Sequence, residues 1–348
     1  MSGRRVAVLG ATGLVGREML LTLEQRNFPV SELVPLASER SEGKKVTFRG
    51  EEVTVRAVKE DSFKEVDIAL FSAGGKTSKR WAPVAAASGA TVVDNSSAWR
   101  MDPEVPLIVP EINPDDVRLA SKKGIIANPN CSTIQAVVVL YPLHKAAGLK
   151  YINISTYQSV AGTGKAAIES LRDGSKAALA GEGYDEKVYP HGIAFNLLPH
   201  IGPFDGEGIS EEEWKMVNES RKIMHLPELR VSGITVRVPI FRCHGESVTA
   251  QFERPITPDE ARAVLSKAPG VVVRDDPKLA EYPLPLDVAG TDAVCVGRIR
   301  RDTGLDNALA MWVVGDNLRK GAALNAVQVA ELLLSNIEGR GFALRLFS

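Results

Sequence analysis

Val6-Ala7-Val8-Leu9-Gly10-Ala11-Thr12-Gly13-Leu14-Val15-Gly16 reads as a buried strand, a glycine turn and the start of a helix. The spacing is GxxGxxG, a variant of the dinucleotide fingerprint. Gly10 lets the chain turn tightly. Gly13 lets backbone N–H groups approach a pyrophosphate, and Gly16 lets the helix pack closely on the strand. The helix start supplies partial positive charge to phosphates. Thr12, Leu14 and Val15 complete the loop that would face such a ligand. The plain alternative is a glycine-rich turn with no ligand. The preceding strand and following amphipathic helix favour the binding loop.

The end of the second strand should read the adenosine ribose. Here it is Leu36-Ala37-Ser38-Glu39-Arg40-Ser41. An acidic residue suits a free 2′-hydroxyl and an Arg suits a 2′-phosphate. Both Glu39 and Arg40 are present, but Ser38 with Arg40, and Gly43-Lys44 close behind, favour NADP over NAD. Further along, Val66–Phe71, Thr91–Val93, Leu107–Val109 and Ile125–Ala127 are short apolar runs, and Lys79–Ser88 is helical. Strands apolar on both faces, alternating with helices, predict a parallel sheet covered on both sides. Ser72 and Gly74, after the run ending at Phe71, are placed to pass near the cofactor phosphates.

From about residue 128 to 320 the rhythm changes. Lys150–Val160, Leu229–Phe241, Glu246–Glu253, Val294–Arg300 and Leu309–Val314 are strand-like, and several alternate apolar with polar. They predict a largely antiparallel sheet with helices on one face, the helices being Ser132–Ala147, Ala166–Ala180 and Glu211–Met224. A last helix, Ala322–Ile337, carries its own apolar stripe. The fold expected is α/β: an N-terminal Rossmann-type parallel-sheet domain plus an α+β domain. The expected boundaries are 1–128 with 320–348 for the cofactor domain and 129–319 for the catalytic and oligomerisation domain.

Composition agrees with two domains, since 348 residues exceed roughly 150 per domain. With 44% apolar residues, a sizeable core is available. Lys+Arg is 42 against Asp+Glu 43, so a broad nucleic-acid footprint is not expected. No apolar run approaches the roughly 18 residues that span a membrane. Met1-Ser2-Gly3-Arg4-Arg5 leads into too short an apolar run for a signal peptide. Three widely spaced cysteines do not form a disulfide framework, which makes a reducing cytoplasm the expected setting.

Cys131 lies in Asn128-Pro129-Asn130-Cys131-Ser132-Thr133, just ahead of an apolar helical run. A helix start stabilises a thiolate, and a thiolate attacks acyl carbonyls. Its alternative is the inert buried cysteine, which suits Cys295 inside an apolar strand. Of the five histidines, His244 stands out, in the turn Arg242-Cys243-His244-Gly245-Glu246-Ser247. A His in a hairpin turn is either exposed and idle or presented to a cleft. Arg237, mid-strand among apolar neighbours, must be paired or face a polar cleft. Its planar fork suits a substrate carboxylate. A metal site at Cys243 and His244 is disfavoured, because no CxxC or HxxxH spacing supports it.

These motifs, with Gln158-Ser159-Val160-Ala161-Gly162-Thr163-Gly164, Glu211–Glu219, Arg237-Val238-Pro239 and Cys243-His244-Gly245-Glu246, form one ordered set. The set closely resembles the aspartate-β-semialdehyde dehydrogenase family, over essentially the whole chain. The resemblance implies a glyceraldehyde-phosphate dehydrogenase-like fold, with the last helix returning to the cofactor domain. It implies NADPH-dependent reduction of β-aspartyl phosphate to aspartate semialdehyde and phosphate, toward lysine (through diaminopimelate), threonine, methionine and isoleucine. It also implies a homodimer or tetramer formed through the sheet domain.

By resemblance, Cys131 is the nucleophile that forms a thioester, Gln158 orients the acyl group and His244 is the general acid/base. Arg237 clamps the α-carboxylate, Glu212 meets the amino group, and Lys215, Arg100 and Asn130 meet phosphate. Ser159, Gly162 and Asn317 are implied near the cofactor, and no metal is implied. Two related reductases compete. N-acetyl-γ-glutamyl-phosphate reductase has a different cysteine motif, whereas a malonyl-CoA reductase could share Cys131 and His244. A silent NADP-binding protein is the reading from another class; it would be expected to have lost the nucleophile or the base.

Overall fold

The computed structural model describes residues 3–337. The chain divides into two compact units, residues 1–130 with 322–348, and residues 131–321. Residues 338–348, which the sequence reading assigns to the cofactor domain, lie outside the described residues, as do Met1 and Ser2.

The first unit begins with β1 (Arg4–Leu9), α1 (Leu14–Gln25) and β2 (Val30–Ala37). A small hairpin, β3 (Lys45–Phe48) and β4 (Glu51–Thr54), follows, and then β5 (Arg56–Ala57), β6 (Ile68–Phe71), α2 (Gly75–Ala87), β7 (Thr91–Asp94) and β8 (Ile125–Ala127). Six strands form one parallel sheet in the order β5-β2-β1-β6-β7-β8. Every residue of β6, and β1 from Val6 onward, is buried, which is why these runs lack polar alternation. The chain leaves β1 to one side through β2 and returns on the other through β6. That reversal is a topological switch point, and ligands bind outside the strand ends there. Leu9 is level with both Leu36 and Phe71, so the loops after β1, β2 and β6 emerge together.

Leu107–Val109 is not a strand, contrary to the sequence expectation. Leu107 makes one isolated bridge to Ala127, and the Val109 N–H donates instead to Oδ1 of Asn113 at 3.0 Å. An Asn side chain competes with the ladder, and Pro106 and Pro110 remove backbone donors on either side.

The second unit contains α3 (Cys131–Ala147), β9 (Leu149–Gln158), α4 (Lys165–Leu179), α5 (Glu211–Met224), β10 (Arg230–Ser232) and β11 (Thr235–Arg237). It continues with β12 (His244–Phe252), α6 (Pro258–Leu265), β13 (Val271–Val273), the short α7 (Pro285–Val288), β14 (Val294–Arg301) and β15 (Ala308–Gly315). The sheet is mixed. An antiparallel core β9-β12-β15-β14 is flanked by short strands parallel to their neighbours: β10 and β11 on β9, and β13 on β14.

Leu229–Phe241 therefore does not form the single strand expected. It breaks at Gly233, where a Cβ would lie 1.8 Å from the Ile154 carbonyl oxygen. Beyond Arg237, Pro239 cannot donate to a ladder. On β12, His244, Glu246, Val248 and Ala250 are buried, while Ser247 is exposed. α3 packs across β9, β12 and β15, between α5 and α6, and its residues Ser132–Leu140 are all buried. The capping box of Ser210 with Glu213 starts α5.

A π-helical turn, Arg319–Ala323, precedes α8 (Leu324–Ile337). α8 packs on α1, β6 and β7, and is buried nearly all round by Ala326, Val327, Ala330 and Leu333 rather than along one stripe. Among the described residues, no helix is long and apolar enough to cross a membrane.

Candidate active site

Cys131 is the first residue of α3 and is partly exposed. Its Sγ lies 3.2 Å from Nε2 of His244. His244 is not in a hairpin turn, contrary to the sequence expectation. It opens the central strand β12, paired with Gln158 on one side and Gly315 on the other, and is fully buried. The expectation took Gly245 for a turn residue. In the sheet, Gly245 is glycine because the Trp312 ring occupies the place of its side chain, 2.4 Å from where a Cβ would stand. The bend falls earlier, at Cys243, whose φ is +71°.

The backbone N–H of Ser159 donates to Nδ1 of His244 at 3.0 Å. This donor assigns Nδ1 as an acceptor and the ring proton to Nε2, facing the sulfur. Burial, and next the Arg237 guanidinium, push the imidazole pKa down to about 3. The Ser159 hydroxyl donates to Oδ1 of Asn317 at 3.1 Å, and the same oxygen accepts the Cys243 N–H at 2.9 Å. Asn317 and Ser159 thereby hold both approaches to the imidazole.

Gln158, at the end of β9, donates to Oε1 of Glu212 at 3.1 Å and to the Thr156 hydroxyl at 3.3 Å. Arg237, at the end of β11, donates to the Ser159 carbonyl at 2.8 Å and to Oε1 of Gln158 at 3.5 Å. Its buried Nε has no partner. Lys215 lies 3.2 Å from Glu212 and 3.0 Å from Glu211, one helical turn away or less. Gly162 keeps the space open, because a Cβ there would lie 3.1 Å from Nη1 of Arg237 and 3.6 Å from Nε2 of His244. The structure thus brings Cys131, Gln158, Ser159, Gly162, Glu212, Lys215, Arg237, His244 and Asn317 into one connected cluster.

Burial pushes the thiols of Cys243 and Cys295 up, which disfavours a thiolate at either. Among the described residues, no group of three or more His, Cys, Asp or Glu could hold a metal.

Two other candidates lie in the first unit. Arg100 is buried, with Nε on the Asn128 carbonyl at 2.9 Å and Nη2 on the Asn95 carbonyl at 3.0 Å. Asn130 is buried next to Cys131 in the chain.

The glycine loop lies at the switch point. Gly10 has φ +91°, and a Cβ there would lie 2.2 Å from the Ser72 carbonyl oxygen. A Cβ at Gly16 would lie 2.1 Å from the Gly10 carbonyl oxygen. Gly13 caps α1, whose first turn holds no acidic residue, so its positive end is open to an anion. Thr12, Leu14 and Val15 are half-buried along this edge, and Gly74 caps α2 with φ +79°. Ser38 and Arg40 are exposed after β2. Lys44 donates to the Ser41 hydroxyl at 3.3 Å, and the Thr12 hydroxyl lies 3.5 Å from the same oxygen. Sequence reasoning missed Ser41 as the link between these loops. It also missed Thr156, whose signal is the alternation that puts it on the face of Gln158.

Residues 5–120 match the semialdehyde dehydrogenase, NAD binding domain family, and residues 140–320 match the semialdehyde dehydrogenase, dimerisation domain family. The aspartate-semialdehyde dehydrogenase of Aquifex aeolicus is 58% identical over 334 residues, 95% of this chain and 98% of that one. A crystal structure of aspartate semialdehyde dehydrogenase II from Vibrio cholerae, complexed with ASA, is 44% identical with TM-score 0.94, covering 97% of this chain and 99% of that chain. The aspartate semialdehyde dehydrogenase with NADP from Candida albicans is 26% identical with TM-score 0.74, covering 97% of this chain and 99% of that one. Both halves of the chain match one enzyme family, and the relatives match over nearly their whole length: the chain belongs to the aspartate-semialdehyde dehydrogenase family.

Proposed function

We propose that the protein reduces β-aspartyl phosphate to aspartate semialdehyde with NADPH, through a thioester on Cys131, in the biosynthesis of lysine, threonine and methionine. The observation that carries this reading is the 3.2 Å contact between Sγ of Cys131, at a helix start, and Nε2 of buried His244. A thiolate there attacks the acyl carbon. The bond to the phosphate oxygen breaks, and phosphate leaves with the electron pair and takes a proton from solvent. Bound NADPH supplies the hydride that reduces the thioester carbon. Collapse of the resulting oxyanion breaks the C–S bond and restores the thiolate. His244 stabilises the thiolate and then the oxyanion by donation from Nε2. His244 thus acts through Nε2, in the place that the resemblance gives to the general acid/base.

Gln158 orients the acyl group, between Glu212 and Arg237. The unpartnered Nε of buried Arg237 supports a clamp on the substrate α-carboxylate. Glu212 meets the substrate amino group. Lys215, Arg100 and Asn130 are proposed phosphate contacts on the family resemblance.

The glycine loop fits a dinucleotide, because Gly10 and Gly16 let the loop lie against the backbone after β6 and against α1 where no Cβ fits, and Gly13 leaves the start of α1 open to an anion. Ser38, Arg40 and Lys44 suit a 2′-phosphate, and the NADP of the Candida albicans enzyme supports that choice. Ser72 and Gly74 border the same loop; Ser159, Gly162 and Asn317 are assigned to the cofactor by resemblance. The first unit would then be the cofactor domain and the second the catalytic and oligomerisation domain.

A homodimer, with a tetramer as the alternative, is supported by the dimerisation-domain match and by the open sheet face where Tyr157 and Trp312 pack edge to face. The three free cysteines support a cytoplasmic setting.

The test is NADP+ reduction with aspartate semialdehyde and phosphate, with NAD+ and CoA as controls. Phosphate-dependent turnover is expected. Turnover that needs CoA would replace this reading with acyl-CoA reduction.

A further inference from the structure

Glu246 is fully buried on β12, two residues beyond His244 and on the same face. Neither of its carboxyl oxygens has a hydrogen-bond partner, and the side-chain oxygen of Gln135 also has none. The residues opposite it on the neighbouring strands, Thr156 and Val313, carry no charge. The one polar side chain that acts on its carboxyl is Gln135, which favours the ionised form, but burial outweighs it. Gln135 sits one turn beyond Cys131 on α3, and its Nε2 donates to the main-chain carbonyl of His244 at 3.3 Å. Gly315, the strand partner of His244, leaves room for this amide, since a Cβ there would lie 2.8 Å from Oε1 of Gln135.

A buried carboxylate with no counter-charge and no well-formed hydrogen bond is unfavourable, whereas a neutral carboxylic acid is itself a donor. The Glu246 carboxyl and Oε1 of Gln135 are both buried acceptors without a donor, and a proton on the carboxyl supplies one. Burial holds the Glu246 carboxyl well above the usual carboxylate range, in the same direction.

We infer that Glu246 is a positioning residue for the reaction proposed above: as a neutral acid it donates to Oε1 of Gln135, completing a chain Glu246–Gln135–His244 that fixes the start of α3 against β12. It touches no reacting atom. Its effect is to set Cys131 against His244 without adding a second negative charge beside the thiolate.

The test compares the full-length protein with Glu246→Gln, which keeps a neutral donor, and Glu246→Leu, which keeps the volume alone. Infrared difference spectroscopy at neutral pH should show the C=O band of a protonated carboxylic acid that is lost in Glu246→Gln. Iodoacetamide alkylation reads Cys131, because Cys243 and Cys295 are buried. Glu246→Gln should rescue alkylation rate and kcat, while Glu246→Leu should lose about tenfold in both with KM little changed. No such band, a Gln variant as slow as Leu, or a Leu variant as fast as wild type would overturn the inference. The band and the alkylation rate need no substrate, so a wrong assignment of the reaction would show only in the turnover assay.

Discussion

The Ser159 amide and His244 share a 3.0 Å hydrogen bond in which the ring nitrogen is the acceptor. One backbone N–H therefore decides which nitrogen faces Cys131. A protonated imidazolium would turn Nδ1 into a donor against a donor, which adds to the cost of burying its charge. In the proposed reaction, a Cys131 thiolate facing a neutral Nε2–H is the complementary pair. Nitrogen NMR of the histidine ring checks this. Nδ1 unprotonated and Nε2 protonated throughout pH 5 to 9 is expected, and an imidazolium near neutral pH would contradict it.

Cys131→Ala should abolish turnover, by about 10⁴-fold or more, while cofactor binding is unchanged. Steady-state rates and NADPH fluorescence titration measure the two separately. Retained activity would remove the thioester from the mechanism.

Arg237 has a buried Nε without a partner and holds the Ser159 carbonyl at 2.8 Å. Arg237→Leu should lower kcat/KM by about 10²-fold or more, through substrate use first and His244 alignment second. Arg237→Lys should recover only a small part, because an ammonium cannot reproduce the fork. Unchanged catalytic efficiency in Arg237→Leu would take this residue out of the site.

The buried His244 and Glu246 set opposite pH slopes on stability. Below about pH 6.5 the unfolded His244 takes up a proton that the native ring refuses until about 3, so stability falls across that window as pH falls. Glu246 binds its proton more tightly in the native state. Its contribution is full below the unfolded value of 4.5 and is lost as pH rises toward the native one. Thermal melts should therefore show Glu246→Gln more stable than wild type at pH 8, with the gap closing toward pH 4.5. A gap that widens on acidification would reverse the assignment.

Gly10→Ala should destabilise the protein by about 2–4 kcal/mol, from positive φ and a collision with the Ser72 backbone together. Gly74→Ala, also at positive φ but with nothing within 4 Å of the new Cβ, should cost about 1 kcal/mol. Equal effects in urea melts would mean that the close approach of β1 and β6 is not what demands Gly10.

Arg40→Ala should raise KM for NADP about tenfold and leave KM for NAD nearly unchanged. A proportional rise for both would show that Arg40 does not read the 2′-phosphate.

Local patterns in the chain determined a good deal. The near-continuous apolar run Val66–Phe71 reads as a parallel strand because only Asp67 interrupts it, and its all-buried part is β6. The glycines at 10, 13 and 16 marked the turn, since their spacing is a local backbone constraint. Cys131 could be placed at a helix start from its neighbours alone.

Tertiary structure decided what local sequence does not encode. His244 lies in a central strand, not a turn, because pairing to Gln158 and Gly315 overrides the local appearance of Cys-His-Gly. The break at Gly233 follows from the Ile154 carbonyl of another strand. The imidazole tautomer depends on a backbone donor 85 residues away in sequence. The state of Glu246 depends on burial that only the packed α3 and β12 create. Propensity and spacing are properties of neighbours along the chain, whereas burial, counter-charge and steric approach belong to neighbours in space, and these set the protonation of the site.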